Sequence, residues 1–176
     1  KELSNIIKMQ SLISVIVNYH NGEKYLERCI KSIISQEYKN FEIIAWDNAS
    51  TDNSKKIIEK FKEAKIRYFR HPIKENLYKA RNRAIEKSSG QLIAFLDSDD
   101  WWEENYLSSR EKHFRDPNID FFYSNTNIFY EKKRKKKLYR NFSLPHGKIF
   151  SDLVKDYFII ISGTIFKKEL FEKYGK

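Results

Sequence analysis

Short runs of β-branched and aliphatic residues alternate with segments whose apolar positions recur every three or four residues. Residues 12–17, Leu-Ile-Ser-Val-Ile-Val, read as a strand buried on both faces, and Asn18 to Gly22 break the run. Tyr25, Leu26, Cys29, Ile30, Ile33 and Ile34 then share one stripe of an amphipathic helix ending near Gln36. Phe41 to Trp46 reads as a second buried strand, followed by the polar stretch Asp47 to Ser54. Ile57, Ile58, Phe61 and Ala64 mark a second helix. A third strand falls at Ile66 to Arg70, and a third helix carries Leu77, Ala80, Ala84 and Ile85 as far as Gly90. A fourth strand, Gln91 to Leu96, runs into Asp97-Ser98-Asp99-Asp100.

The order βαβαβαβ implies an α/β fold with a mostly parallel sheet flanked by helices, because a parallel pair needs a covering crossover. In such sheets ligands bind beyond the carboxyl ends of the strands. The polar clusters Asn18 to Asn21, Asp47 to Asp52 and Asp97 to Asp100 each follow a strand, so they are expected to converge on one edge. Beyond Asp100 the pattern weakens. A helix around Tyr106, Leu107 and Phe114 is expected, then strands at Ile119 to Ser124 and Ile128 to Tyr130 around a basic segment. A strand at Phe158 to Phe166 precedes a final short helix.

Composition narrows the class. The 176 residues suffice for one domain and little else, and 40% hydrophobic with 15% aromatic residues supplies a core, which excludes wholesale disorder. Residues 1–11 read as an N-terminal extension and 12–176 as the domain. The single cysteine, Cys29, excludes an internal disulfide framework and falls on an apolar stripe, as a core residue would; no zinc-ligand spacing appears. The longest apolar runs are far shorter than the roughly 20 residues of a membrane span. Net charge is +10, but residues 131–140 carry +6 of it, so the basicity belongs to one loop or hairpin. Its basic run 132–137 supports a competing reading, a module that docks on anionic lipid or nucleic acid, with the acids serving only as helix caps. Poor aromatic interleaving counts against nucleic acid.

Asp97 and Asp99 are two residues apart at a strand end, a spacing that places two hard carboxylates on one side. Such a pair suits Mn2+ or Mg2+, which completes its shell with phosphate oxygens and water. Capping the helix expected near Trp101 is the alternative use of these acids. Trp101 and Trp102 could stack on a sugar ring or serve as core and rim aromatics.

Four elements in order resemble the inverting family 2 glycosyltransferases with the GT-A, Rossmann-like fold. They are Ser14 to Asn21 with Tyr25-Leu26 and Ser32-Ile33; Phe41 to Asp52; Asn76 with Ala80-Arg81-Asn82; and Phe95 to Asp100. The resemblance is strong over about residues 12 to 115. It implies transfer of a sugar from a nucleoside-diphosphate sugar, a UDP-sugar by expectation, to a saccharide or lipid-linked acceptor in cell-surface polysaccharide or lipooligosaccharide synthesis. It further implies that Asp47 accepts the uracil N–H and that Tyr19 lines the base. Asp52 resembles the second acid of the turn, Arg81 approaches the uracil or diphosphate, Asp97 binds the ribose, and Asp99 holds the metal. Asn21 and Ser98 complete the nucleotide-sugar site. Capping and turn formation are the structural alternatives for Asp47 and Asp52. The family's catalytic base lies after a segment resembling Ser162 to Phe171, so it is expected beyond Lys176, and a cytoplasmic location with peripheral membrane contact is expected. A sugar nucleotidyltransferase would need a glycine-rich basic loop after the first strand; Asn18 to Gly22 has one glycine and no arginine.

Overall fold

A computed structural model describes residues 11–61 and 65–175. Lys1 to Gln10, most of the expected extension, and Ala64 of the second helix stripe lie outside the described residues. Strands β1 (Ile13–Tyr19), β2 (Phe41–Asn48), β3 (Ile66–His71) and β4 (Leu92–Phe95) are parallel, and helices α1 (Leu26–Ile34), α2 (Ser54–Glu59) and α3 (Leu77–Lys87) connect them. Beyond them come α4 (Tyr106–Glu111), β5 (Phe121–Tyr123), β6 (Asn127–Tyr130), β7 (Lys135–Leu138), α5 (Phe150–Lys155), β8 (Thr164–Lys167) and α6 (Glu169–Tyr174). The main sheet has the order β3-β2-β1-β4-β8-β5, with β8 antiparallel to both neighbours, while β6 and β7 form a separate hairpin.

Every residue of β1, β2 and β4 is buried, which is why these strands read as continuous apolar runs. Two hydrophobic clusters cover the sheet. On one face Val15, Val17 and Ala45 pack with Leu26, Cys29, Ile30 and Ile33 of α1 and with Ile57 and Ile58 of α2. On the other, Ile16, Ile44, Ile93 and Phe95 pack with Ala80, Ala84 and Ile85 of α3. Cys29 is in the core, and burial pushes its thiol pKa up, so it has no thiolate character.

The ladders run further toward the site than the apolar runs suggest. Asn18 pairs with Trp46 and Tyr19 with Asp47, so β1 ends at Tyr19 and β2 at Asn48. At the opposite end Gly90 closes β1 onto β4: its N–H donates to Ser14 Oγ at 2.8 Å, and a Cβ there would sit 2.6 Å from the Leu12 carbonyl oxygen. Glu42 accepts from Ser14 Oγ, the Ser89 N–H and Arg67, which binds that end together.

The second half departs from its pattern. The strand expected at Phe158 to Phe166 is only Thr164–Lys167, because a 3-10 turn at Ile161–Gly163 carries buried Ser162 past the end of β4. The basic run was expected between strands, yet Lys135–Leu138 is itself a strand, wholly exposed and paired to β6. Without a buried face it has no alternation to reveal it.

Candidate functional site

The site edge is built from three loops at the carboxyl ends of β1, β2 and β4. The first two are knitted together. Asn21 has a left-handed backbone, φ 56°, its N–H donates to Ser50 Oγ at 2.9 Å, and its Oδ1 accepts the Thr51 N–H at 2.8 Å. The Gly22 N–H donates to Ser54 Oγ, and Asp52 accepts the Glu23 N–H at 2.9 Å and both the N–H and Oγ–H of Ser54. Burial alone would raise the Asp52 pKa, but these bonds outweigh it and hold the carboxyl below its ordinary value. Asn21 and Asp52 are therefore brought to the edge, with their polar atoms engaged between loops.

Asp47 is buried in register beside Tyr19. One carboxylate oxygen accepts the Ser50 N–H at 2.7 Å; the other accepts the Tyr68 O–H at 2.9 Å, with Arg70 Nε at 3.8 Å. Tyr19 is also buried, and its phenol oxygen has no hydrogen-bond partner among the described residues. Burial, reinforced by the Asp47 carboxylate, pushes that phenol's pKa far up. Tyr68, which the apolar pattern did not single out, is thus the side chain that orients Asp47.

On the α3 face Arg81 donates to Asp97 Oδ1 at 2.7 Å, with its guanidinium 5.6 Å from the Phe95 ring. Arg81 and Asp97 are therefore joined as an ion pair, whereas Tyr19 and Asp47 are neighbours in the β1–β2 ladder. The turn after β4 closes through the Asp100 N–H on the Asp97 carbonyl at 2.9 Å. Ser162 fastens it: its Oγ accepts the Asp97 N–H at 3.1 Å and donates to Asp100 Oδ2 at 2.6 Å, while its carbonyl accepts Trp102 Nε1–H at 2.7 Å. Burial pushes the Asp100 carboxyl up, the Ser162 bond opposes this, and the charges of Asp99 and Asp97 add to it. Ser162 acts across 62 residues on Asp100, which no local spacing could announce. Ser98 is half-buried near Gly22. Asp99 is exposed, and its carboxylate makes no hydrogen bond or ion pair among the described residues.

Asp99 and Asp100 also line a cleft of about 850 Å³ whose other walls come from α1, residues 101–110 and the β5–β6–β7 region. A buried amide braces the segment behind one of its walls. Gln36, fully buried just past α1, donates Nε2–H to the Ser32 and Glu103 carbonyls and accepts the Leu107 N–H, which ties α1 to the 103–107 segment. Trp102 is a core residue stacked on Tyr106 at 4.2 Å. Trp101 stands on the cleft wall, edge-on to Phe129 at 5.4 Å and under the Arg28 guanidinium at 3.9 Å.

A divalent ion of the Mg2+ or Mn2+ class takes one or two carboxylates and fills its shell from phosphate and water. Among the described residues there is no group of three His, Cys, Asp or Glu able to cage an ion. The free carboxylate of Asp99 fits an ion brought with a diphosphate. Among the described residues no helix is long and apolar enough to cross a membrane.

Comparison with known proteins bears on the family and the fold. A glycosyltransferase of Streptococcus pneumoniae serotype 4, GlyA, is 33% identical over 92% of this chain, which spans 25% of that protein. WfgD of Escherichia coli, a UDP-Glc:alpha-D-GlcNAc-diphosphoundecaprenol beta-1,3-glucosyltransferase, is 31% identical over 82% of this chain and 56% of its own length. The chain thus spans from a quarter to little more than half of these relatives. Staphylococcus aureus TarS 1-349 in complex with UDP-GlcNAc superposes with a TM-score of 0.74 at 19% identity, covering 92% of this chain and 47% of that one. The mannosyltransferase PcManGT from Pyrobaculum calidifontis, in complex with GDP-Man and Mn2+, gives 0.72 at 18% identity, over 94% and 47%. At these identities the two structures show a shared GT-A fold. The profile of "Glycosyl transferase family 2" matches residues 14–175, from the first buried strand through α6, and the chain belongs to that family.

Proposed function

We propose that this chain forms the donor-binding part of an inverting glycosyltransferase that uses a UDP-sugar and a saccharide or lipid-linked acceptor in surface-polysaccharide synthesis. The observation that carries the reading is Asp99, a free carboxylate at the strand edge that also lines the large cleft. It stands between the loops that suit a nucleotide and a space that suits an acceptor.

In this mechanism Asp47 accepts the uracil N–H on a lone pair left by Ser50 and Tyr68, and Tyr19 lines the base. Arg81 holds Asp97 toward the ribose hydroxyls. Asp99 would hold Mn2+ or Mg2+, which when bound would neutralise charge developing on the leaving diphosphate. An acceptor hydroxyl attacks the anomeric carbon from the cleft side, with inversion, as the anomeric C–O bond to the diphosphate breaks and UDP leaves, and the hydroxyl proton passes to a carboxylate. We assign that proton to none of the described acids lining the cleft. Glu103 and Glu131 sit in ion pairs with Lys136 and Lys24, and Asp100 is held by Ser162. The exposed basic hairpin favours contact with an anionic membrane face, on which each Lys or Arg contributes about 1 kcal/mol close to the surface.

Thermal unfolding with UDP tests the reading. Ligand at about 100 times its Kd stabilises by roughly 2.7 kcal/mol. UDP with Mn2+ should raise Tm, and UDP alone much less. Stabilisation by duplex DNA, with no response to UDP and Mn2+, would favour the binding-module reading instead.

A further inference from the structure

The cleft holds more positive charge than its own acids balance. Arg110, on α4, lines it with a half-buried guanidinium stacked on Tyr106 at 4.1 Å. That group donates to the Tyr106 carbonyl at 3.2 Å and to the Ser109 hydroxyl. Its buried Nε has no partner, and Arg110 forms no ion pair among the described residues. Burial lowers its pKa, opposed by Tyr106. Sinking a charge without a counter-charge is unfavourable, so a guanidinium left this way suits an anion supplied from outside.

Lys132 and Lys133, in the 3-10 turn between β6 and β7, line the same cleft and also make no ion pair among the described residues. Their neighbour Lys136 differs, being paired with Glu103 at 3.0 Å. Glu131 is likewise paired, with Lys24 at 3.8 Å. The unpaired cations of the cleft therefore include one rigid fork on α4 and two mobile-stemmed ammonium groups on the hairpin, a combination that suits phosphate oxygens.

We propose that Arg110, Lys132 and Lys133 form a phosphate subsite of the cleft, which takes the phosphate or diphosphate through which an acceptor sugar is joined to its carrier. The inference rests on the glycosyl-transfer reading, which puts the donor at Asp99 and the acceptor in the cleft. A volume of about 850 Å³ accommodates a sugar together with a diphosphate. The subsite then fixes the acceptor by its anionic linkage and leaves its hydroxyl toward Asp99.

The test is calorimetric titration of geranyl diphosphate, geraniol and inorganic pyrophosphate into protein saturated with UDP and Mn2+, which keeps diphosphates out of the donor site. Geranyl diphosphate should bind and geraniol should not. Arg110→Met keeps the stem over Tyr106 and should lose about tenfold or more in affinity, with Arg110→Lys intermediate. Lys132→Ala with Lys133→Ala should lose as much, and being exposed this pair decides the matter if Arg110→Met fails to fold. UDP affinity should be unchanged in all of them. Pyrophosphate binding as tightly as geranyl diphosphate assigns recognition to the anion alone, and tighter geranyl diphosphate adds its carrier; both support the subsite. Equal binding of geraniol, or variants with unchanged affinity, overturns it. If UDP fails to bind in a separate titration while the variants still lose geranyl diphosphate, the donor reading falls and the anion subsite stands.

Discussion

At the scale of single residues, the candidate site divides into groups that are spent and groups that are free. Asp99 is free, so Asp99→Ala should remove the Mn2+-dependent part of UDP affinity and leave Tm unchanged, since exposed substitutions stay within about 0.5 kcal/mol. Titration with and without Mn2+ checks this; an affinity indifferent to both metal and mutation would strip Asp99 of its role. Asp47 is buried and partly engaged, so Asp47→Asn should act twice. An amide nitrogen would face donors, at a cost of about 1–3 kcal/mol in stability, and uridine affinity should fall about tenfold or more. Tyr68→Phe separates the two effects: it should remove about 0.5–1.5 kcal/mol of stability while uridine binding persists. The acids were legible because strand-end spacing announces them. Tyr68, Ser162 and Arg110 were not, because their chemistry arises only when distant segments meet, as Ser162 meets Asp97 and Asp100.

At the scale of elements, legibility follows burial. The strands β1, β2 and β4 and the stripe of α1 bury whole runs, so periodicity shows them, whereas β5, β7 and β8 are three or four residues long and partly or wholly exposed. The end of the sheet far from the site carries two predictions. Gly90→Ala would drive a Cβ into the Leu12 carbonyl and Ser14, and should cost about 1–3 kcal/mol, read as a lower Tm with UDP affinity intact in the folded fraction. Burial raises the Glu42 pKa, but bonds from Ser14, Ser89 and Arg67 outweigh it and hold the carboxyl below its ordinary 4.5. A depressed acid contributes stability above its unfolded pKa and loses it as pH falls through the folded one. The stability gap between wild type and Glu42→Gln, measured by urea unfolding, should therefore close on acidification below 4.5. A gap independent of pH would mean that the carboxylate charge contributes nothing there.

At the scale of the whole molecule, charge is concentrated on one hairpin whose members point to different tasks. All six of its central cations are exposed, but Lys132, Lys133 and Lys136 line the cleft and Arg134, Lys135 and Lys137 do not. Within β7, side-chain alternation sets Lys136 on the side opposite to Lys135 and Lys137. The proposed membrane contact is therefore assigned to Arg134, Lys135 and Lys137, which can be replaced without touching the cleft. Replacing Arg134, Lys135 and Lys137 with glutamine should weaken binding to phosphatidylglycerol vesicles by about 3 kcal/mol, or roughly two orders of magnitude, at about 1 kcal/mol per residue. Binding of wild type should fall as salt shortens the Debye length, and phosphatidylcholine vesicles should bind neither protein. UDP affinity should be equal in the two. Sedimentation with vesicles at two ionic strengths measures all of this, and wild-type binding that ignores salt or survives the triple substitution would confine the hairpin's charge to the cleft.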